Sequence, residues 1–265
     1  MQLINTNAED LVIRSDNGAI CDLIINRPKS YNSLSIDCME ALIEEFESLS
    51  GDPSVRVVIL SGSGKGFCAG HDMRDLRANP EKSFYEKTFQ TSARMMLSII
   101  NCAKPVIAKV HGVATAAGCQ LVATCDLAVA DESARFATPG VNIGLFCSTP
   151  MVALSRNIAR KQAMEMLLTG DFISAARAYE MGLVNRVAPS QELDQAAYEL
   201  AEKIASKSPL TLKIGKKAFY EQLDKDLGGA YEHCCRVMVE NMMARDAEEG
   251  IDAFLEKREP VWQGK

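Results

Sequence analysis

The chain has 265 residues, with 29 Lys and Arg against 35 Asp and Glu and a net charge of −6. That length buries a substantial core as one large domain or two modest ones, and the interleaved charges exclude nucleic-acid binding through a broad basic surface while leaving local basic groups free to hold an anionic ligand. No apolar run approaches the roughly 20 residues that span a bilayer, and the opening MQLINTNAED has neither a basic signal start nor an Arg-rich transit composition, so a cytoplasmic protein without membrane contact is expected.

In chain order, LVIRSDNGAICDLIINR reads as two β-rich runs around Asp16-Asn17-Gly18, a tight-hairpin signal because Asn and Gly tolerate positive φ. Met39, Leu42, Ile43, Phe46 and Leu49 then recur at helical spacing, with Ser35 as N-cap and Gly51 followed by Pro53 ending the pattern. The runs VRVVIL (55–60), KPVIAKV and CDLAVA are apolar on both faces and read as strands covered on both sides. Thr149 and Pro150 suit N-cap and first turn of a helix, Gly170 and Gly182 suit helix stops, and the pattern after Ser190 is mostly helical. The reading is one α/β core over residues 1–190 and a helical region over 191–265 that packs on the core or on a neighbouring subunit. The nine cysteines, among them Cys21, Cys38, Cys102, Cys119 and Cys125, lack paired ligand spacing, so reduced thiols and no metal site are expected.

Two glycine- and alanine-rich turns stand out. In GSGKGFCAG (62–70) the segment GKGFCA satisfies G-x-G-x-x-A after a strand, but Pro80 interrupts the stretch where a dinucleotide fold needs a full helix and second strand. A phosphate-binding loop also fails, because Gly66 follows Lys65. The turn in HGVATAAGCQLVATCD opens into a helix near Ala116, whose first N–H groups lack intrahelical partners. Two such turns donating to one oxygen would form an oxyanion hole; each taken singly is also a plain strand-to-helix connection.

Together, INRPKSYNSL, GFCAGHDM, HGVATAAGCQLVATCDLAVA and AFLEKREPVW, in this order, resemble the crotonase (enoyl-CoA hydratase/isomerase) superfamily along nearly the whole chain. ATPGVN, GLFCSTP and AAGCQL most resemble its enoyl-CoA hydratase domain-containing branch. The resemblance implies a spiral of ββα units with a helical trimerisation region, trimers or dimers of trimers, an acyl-CoA thioester as substrate, and no further cofactor. It places the backbone N–H groups of His71 and Ala117 on the thioester carbonyl, and assigns Lys29, Ala69, Asp72, Met73, Phe254 and Lys257 to the CoA moiety. Relatives carry glycines where this chain has Ala116-Ala117-Gly118, and the expectation is that the alanines there adopt helical, negative φ.

The departures concern the chemistry. Hydratases of this family use two glutamates, and those positions are here Gln120 and Gly140; the acid that isomerases and dehalogenases place slightly later aligns with Ser148. An amide is neither acid nor base near neutral pH and glycine has no side chain, so ordinary hydration is in doubt, and returning glutamate to 120 and 140 is expected to restore it if the scaffold is otherwise unchanged. A nucleophile built from Cys147 or Ser148 with His71 is an alternative, the dipole of the helix starting at Pro150 lowering the thiol pKa; a packed thiol and a turn hydroxyl are the plainer reading. His111 and His233 carry no assigned role. Three functions remain open: a hydratase-like lyase working without the glutamate pair, an acyl-CoA thioesterase, and a non-catalytic acyl-CoA binding or regulatory protein.

Overall fold

The computed structural model describes residues 10–265, so the expectation drawn from the opening segment rests largely on residues that lie outside the described ones. The hairpin forms from β1 (Val12–Asn17) and β2 (Ile20–Ile25), with Asn17 opposite Ile20. Its loop is Gly18-Ala19 with positive φ at Gly18, so Asn17 belongs to the strand; a turn of type II′ needs positive φ at its first loop residue only. Ser35 caps α1 (Ile36–Gly51) by accepting the Cys38 N–H at 3.3 Å, and Gly51 is the last helical residue, with Asp52 closing the helix. Next come β3 (Val57–Gly62), α2 (Met73–Ala78), α3 (Lys82–Asn101), β4 (Val106–Val110), β5 (Val113–Thr115), α4 (Ala117–Thr124), β6 (Leu127–Asp131) and β7 (Arg135–Ala137). The chain continues through α5 (Pro150–Asn157), α6 (Arg160–Thr169), β8 (Ile173–Ser174), α7 (Ala175–Met181) and β9 (Arg186–Ala188), and ends in α8 (Leu193–Ala205), α9 (Pro209–Leu223), α10 (Leu227–Met242) and α11 (Arg245–Glu256). Gly170 and Gly182 do stop α6 and α7 in the left-handed conformation, whereas Thr149 precedes α5 without a capping side-chain bond.

The strands build a six-stranded sheet in the order β1-β2-β3-β4-β6-β9, parallel except for β1, and a three-stranded sheet in the order β5-β7-β8. From β4 to β7 the chain alternates between the large and the small sheet, so two strands and a helix make one turn of a spiral. The alternation of side chains decides which layer each residue enters. Val58 and Leu60 of β3, with Ala108 and Val110 of β4, face the spiral interior against α1, α3 and α4. Val57 and Ile59, with Ile107 and Val129, face outward against Leu193, Ala197 and Ala201 of α8. The first C-terminal helix is thus the outer cover of the large sheet. Tyr198 of α8 donates to Asp22, and Lys109 pairs with Asp194 at 2.6 Å across the same layer.

Beyond α8, contact with the core narrows to a polar knot. Lys216 on α9 lies 2.7 Å from the Asp126 carboxylate and donates to the Ile99 and Lys104 carbonyls, while Tyr220 donates to Asp126 at 2.9 Å. Asp126 in turn accepts the Val106 N–H at 2.7 Å, which ties α9 to the start of β4. α10 has no buried residue and carries Leu227, Tyr231, Met238 and Met242 to the surface. No helix among the described residues is long and apolar enough to cross a membrane.

Candidate functional site

Backbone pairing assembles the site from three segments far apart in sequence. After β3 the chain turns through residues 63–66, and the stretch from Phe67 to Asp72 runs between two neighbours. On one side Phe67 N–H donates to His111 O, Cys68 N–H to Val113 O, and Thr115 N–H to Cys68 O, in the manner of a parallel ladder. On the other side Ala69 N–H donates to Tyr31 O at 2.9 Å, Leu34 N–H to Gly70 O at 2.8 Å, and Asp72 N–H to Leu34 O at 3.0 Å. In that parallel bridge residues 70 and 72 face Leu34, so the N–H of the residue between them, His71, points away. It has no partner among the described residues.

The second turn meets the first. Gly118 lies in the first turn of α4 so close to the first strand that a Cβ there would stand 2.1 Å from Cys68 O. A Cβ on Gly70 would meet the Ala116 Cβ at 2.9 Å and Ala117 N at 3.2 Å. Ala117 is the first residue of α4, and its N–H is among the four that no helix can satisfy internally. Two unpaired N–H groups, of His71 and Ala117, are therefore carried by turns in van der Waals contact, an arrangement suited to one oxygen that gathers negative charge.

The third segment follows β7. Ala116 N–H donates to Ala137 O at 2.9 Å, which brings Thr138, Pro139 and Gly140 alongside the start of α4. Asn32 holds the turns from behind, and the sequence reading missed it. Fully buried in the left-handed conformation, it donates to Ser63 O and Gly66 O, both at 2.8 Å, and accepts from Arg27 N–H. Asn is among the few residues that adopt this conformation without large strain, and that was the one signal in YNSL that pointed to it.

Several expectations change. Ala116 does not take a helical conformation: it sits at φ 50, ψ −117, a region ordinarily left to glycine. Such a residue stores about 1–3 kcal/mol of strain, and the strain falls on the residue before the donor, not on Ala117. Cys147 is buried and burial pushes its thiol pKa up, against the lowering expected from the α5 dipole. Ser148 is exposed, and its hydroxyl turns back to Phe146 O at 3.3 Å. Neither is hydrogen-bonded to His71, so no nucleophile pair is assembled. At Gly140 a Cβ would lie 2.6 Å from Leu145 O and 2.9 Å from Cys147 Sγ. A side chain there requires the 145–147 loop to shift, so the condition on which glutamates at 120 and 140 were expected to restore hydration, an otherwise unchanged scaffold, is not met.

Gln120 is buried with its Oε1 unpartnered. The His71 ring stands edge-on to Phe89 with centroids 5.3 Å apart, and burial lowers its pKa from 6.5 to about 4. Of the residues assigned to CoA, Lys29 is exposed on the turn that leads into Tyr31, and Met73 is exposed at the start of α2. Ala69 already uses its N–H for Tyr31 and its carbonyl for the Thr115 hydroxyl at 3.0 Å. Asp72 is buried as the N-cap of α2; burial raises its pKa, but bonds from Arg27, Ser33 and the Arg74 N–H outweigh that and leave it lowered. Phe254 and Lys257 lie on and just after α11, which packs on α9 and α10, and no hydrogen bond joins them to the turns.

Known proteins match this chain along nearly its whole length. A family profile described as enoyl-CoA hydratase/isomerase matches residues 15–265. The crystal structure of an enoyl-CoA hydratase from Mycobacterium smegmatis has a TM-score of 0.94 and 50% identity, covering 96% of this chain and 99% of that one. The human enoyl-CoA hydratase domain-containing protein 3, mitochondrial, is 46% identical over 243 residues, 92% of this chain and 80% of that protein. Its crystal structure gives a TM-score of 0.93 at 44% identity, covering 96% of this chain and all of that one. The human, rat and Xenopus laevis relatives are mitochondrial by name, which overturns the cytoplasmic expectation; that expectation rested on the composition of a short opening segment and on the lack of a bilayer-length apolar run, and neither decides an organelle address.

Two outcomes follow from the strained turn and the buried imidazole. Ala116→Gly relieves the strain at the cost of unfolded-state entropy, so thermal denaturation is expected to show a net gain of about 1 kcal/mol; a loss would contradict the strain. Between pH 6.5 and 4 the unfolded chain takes up a proton that folded His71 refuses, so stability falls as pH drops through that window. The loss reaches about 3 kcal/mol, and denaturant titrations of His71→Gln are expected to lack it.

Proposed function

This chain belongs to the enoyl-CoA hydratase/isomerase (crotonase) family, and on that premise we propose that it binds an acyl-CoA thioester with the carbonyl oxygen between the His71 and Ala117 N–H groups. The observation that carries the proposal is the pair of unpaired donors on two touching turns. As charge gathers on the thioester oxygen, both N–H groups hold it without reorganisation, each worth about 2.7–4 kcal/mol. Lys29 and Met73, both exposed beside the turns, would contact the CoA moiety. Phe254 and Lys257 would complete its binding from the C-terminal helices.

The same reading makes this a hydratase-like enzyme without the glutamate pair. Gln120 orients a group beside the thioester but transfers no proton, and Gly140 contributes only backbone. Each missing acid or base is worth about 10²- to 10⁴-fold. On crotonyl-CoA the enoyl absorbance is therefore expected to fade at least about 10²-fold more slowly than with two-glutamate relatives, and Gln120→Glu with Gly140→Glu to give no recovery. A rate normal for the family would overturn this reading. Thiol release from saturated acyl-CoAs would replace it with thioester hydrolysis, and tight binding with neither signal with a binding or regulatory role.

The exposed apolar side chains of the last two helices support assembly as a homotrimer or a dimer of trimers. Phe254 is 82% exposed, Leu227 76% and Leu255 70%, and clusters of this kind on a lone chain mark a contact surface. Sedimentation equilibrium is expected to give three or six times the 28.9 kDa chain; a monomer mass would remove the proposal.

A further inference from the structure

Buried polar atoms without partners are few in native proteins, and each calls for an explanation. Five occur among the described residues: His71 Nε2, Ser92 Oγ, Gln120 Oε1, Thr138 Oγ1 and His233 Nε2. The first four sit on segments that meet around the first turns of α4. Thr138 follows the residue that accepts the Ala116 N–H, Gln120 is in α4 itself, and Ser92 lies on α3 one turn beyond Phe89, the ring that meets His71.

One direct contact between α3 and α4, and one relayed through His71, orient Ser92 relative to Gln120. Phe89 touches His71, whose turn abuts Ala117 at the start of α4. Seven residues further along α3, Met96 Sδ accepts the Thr124 hydroxyl at 3.4 Å, and Thr124 is seven residues beyond Ala117. With the same rise per residue, the two helices run side by side in the same direction and in step. Ser92 and Gln120 are each three residues along from the first contact, so they stand level. Each is also four residues before a member of the second contact, which places both on the facing sides of the pair.

Both are shut away from solvent, Ser92 at 0% and Gln120 at 5% exposure. A helical hydroxyl ordinarily bonds back to the carbonyl of the preceding turn. Thr88 does so, donating to Phe84 O at 2.9 Å, but Ser92 makes no such bond to Thr88. The Gln120 oxygen only accepts, while the Ser92 hydroxyl both donates and accepts. The two are not bonded to each other. A single group satisfies both if it accepts from serine and donates to the amide oxygen, which is the chemistry of a hydroxyl.

We propose that Ser92 and Gln120, with the His71 ring beside them, form a subsite for one hydroxyl group next to the thioester position. It belongs either to the acyl chain, as an oxygen substituent near the thioester, or to a water held there for the reaction. The inference rests on the acyl-CoA reading above and adds to it the polarity of the acyl end.

The test compares butyryl-CoA with 2- and 3-hydroxybutyryl-CoA by calorimetry on the full-length protein and on Ser92→Ala, with crystal structures of both forms. If the chain supplies the hydroxyl, one hydroxybutyryl isomer binds about tenfold tighter than butyryl-CoA, and Ser92→Ala brings the two within about twofold while leaving butyryl affinity unchanged. If water supplies it, the ligands bind alike and the crystal structure shows a water bonded to both Ser92 Oγ and Gln120 Oε1 that is lost in Ser92→Ala. Equal binding with no such density overturns the proposal, as does a hydroxyl preference that survives Ser92→Ala. Failure of every thioester to bind overturns the acyl-CoA reading instead, and the density between Ser92 and Gln120 then decides the subsite by itself.

Discussion

Everything at this site depends on how one short stretch of backbone, Phe67 to Asp72, shares its hydrogen bonds. It is paired on one side with residues 111–115 and on the other with residues 31–34, and the alternation of a parallel bridge leaves the His71 N–H facing neither. A buried backbone donor without a partner is a cost in any fold. Here the second turn is pressed close through Gly118 and carries the Ala117 N–H beside the first, and on the proposed reading the cost becomes a binding capacity for one oxygen. Asn32, Arg27 and Asp72 are the braces that keep the three segments in register.

Around those donors the positions that the resemblance assigns to two glutamates hold Gln120 and Gly140. The 145–147 loop fills the volume beside Gly140, so the substitution is a change of shape as well as of charge. In α4 the Gln120 amide oxygen has no partner, and on the neighbouring α3 the Ser92 hydroxyl has none either. The neutral, buried His71 ring adds a third polar group. On the proposed reading, an amide, a hydroxyl and a neutral imidazole suit holding an oxygen better than moving a proton.

Much of this was legible in the residues. The hairpin, the Ser35 cap, the strands apolar on both faces and the glycine stops of α6 and α7 follow from local rules, and the structure departs from them by one or two residues. The small-residue turns were also readable as turns, and the family resemblance named the donors. What local rules missed are the pieces defined by distant partners. The three-residue strands β5 and β7 are too short to show a period, Ser92 looks like any polar residue on a polar helix, and Ala116 carries no mark of its positive φ.

The sequence by itself determined the elements, their order and the absence of the two glutamates, because periodicity, capping and residue identity act within a few neighbouring residues. Only the tertiary structure decided that the two turns touch, that Ala116 rather than Ala117 bears the strain, that a side chain at Gly140 would collide with its neighbours and that the Ser92 and Gln120 oxygens are buried without partners. Those are properties of contacts between segments tens of residues apart. They are set by how close two backbones come, and no single segment contains that distance.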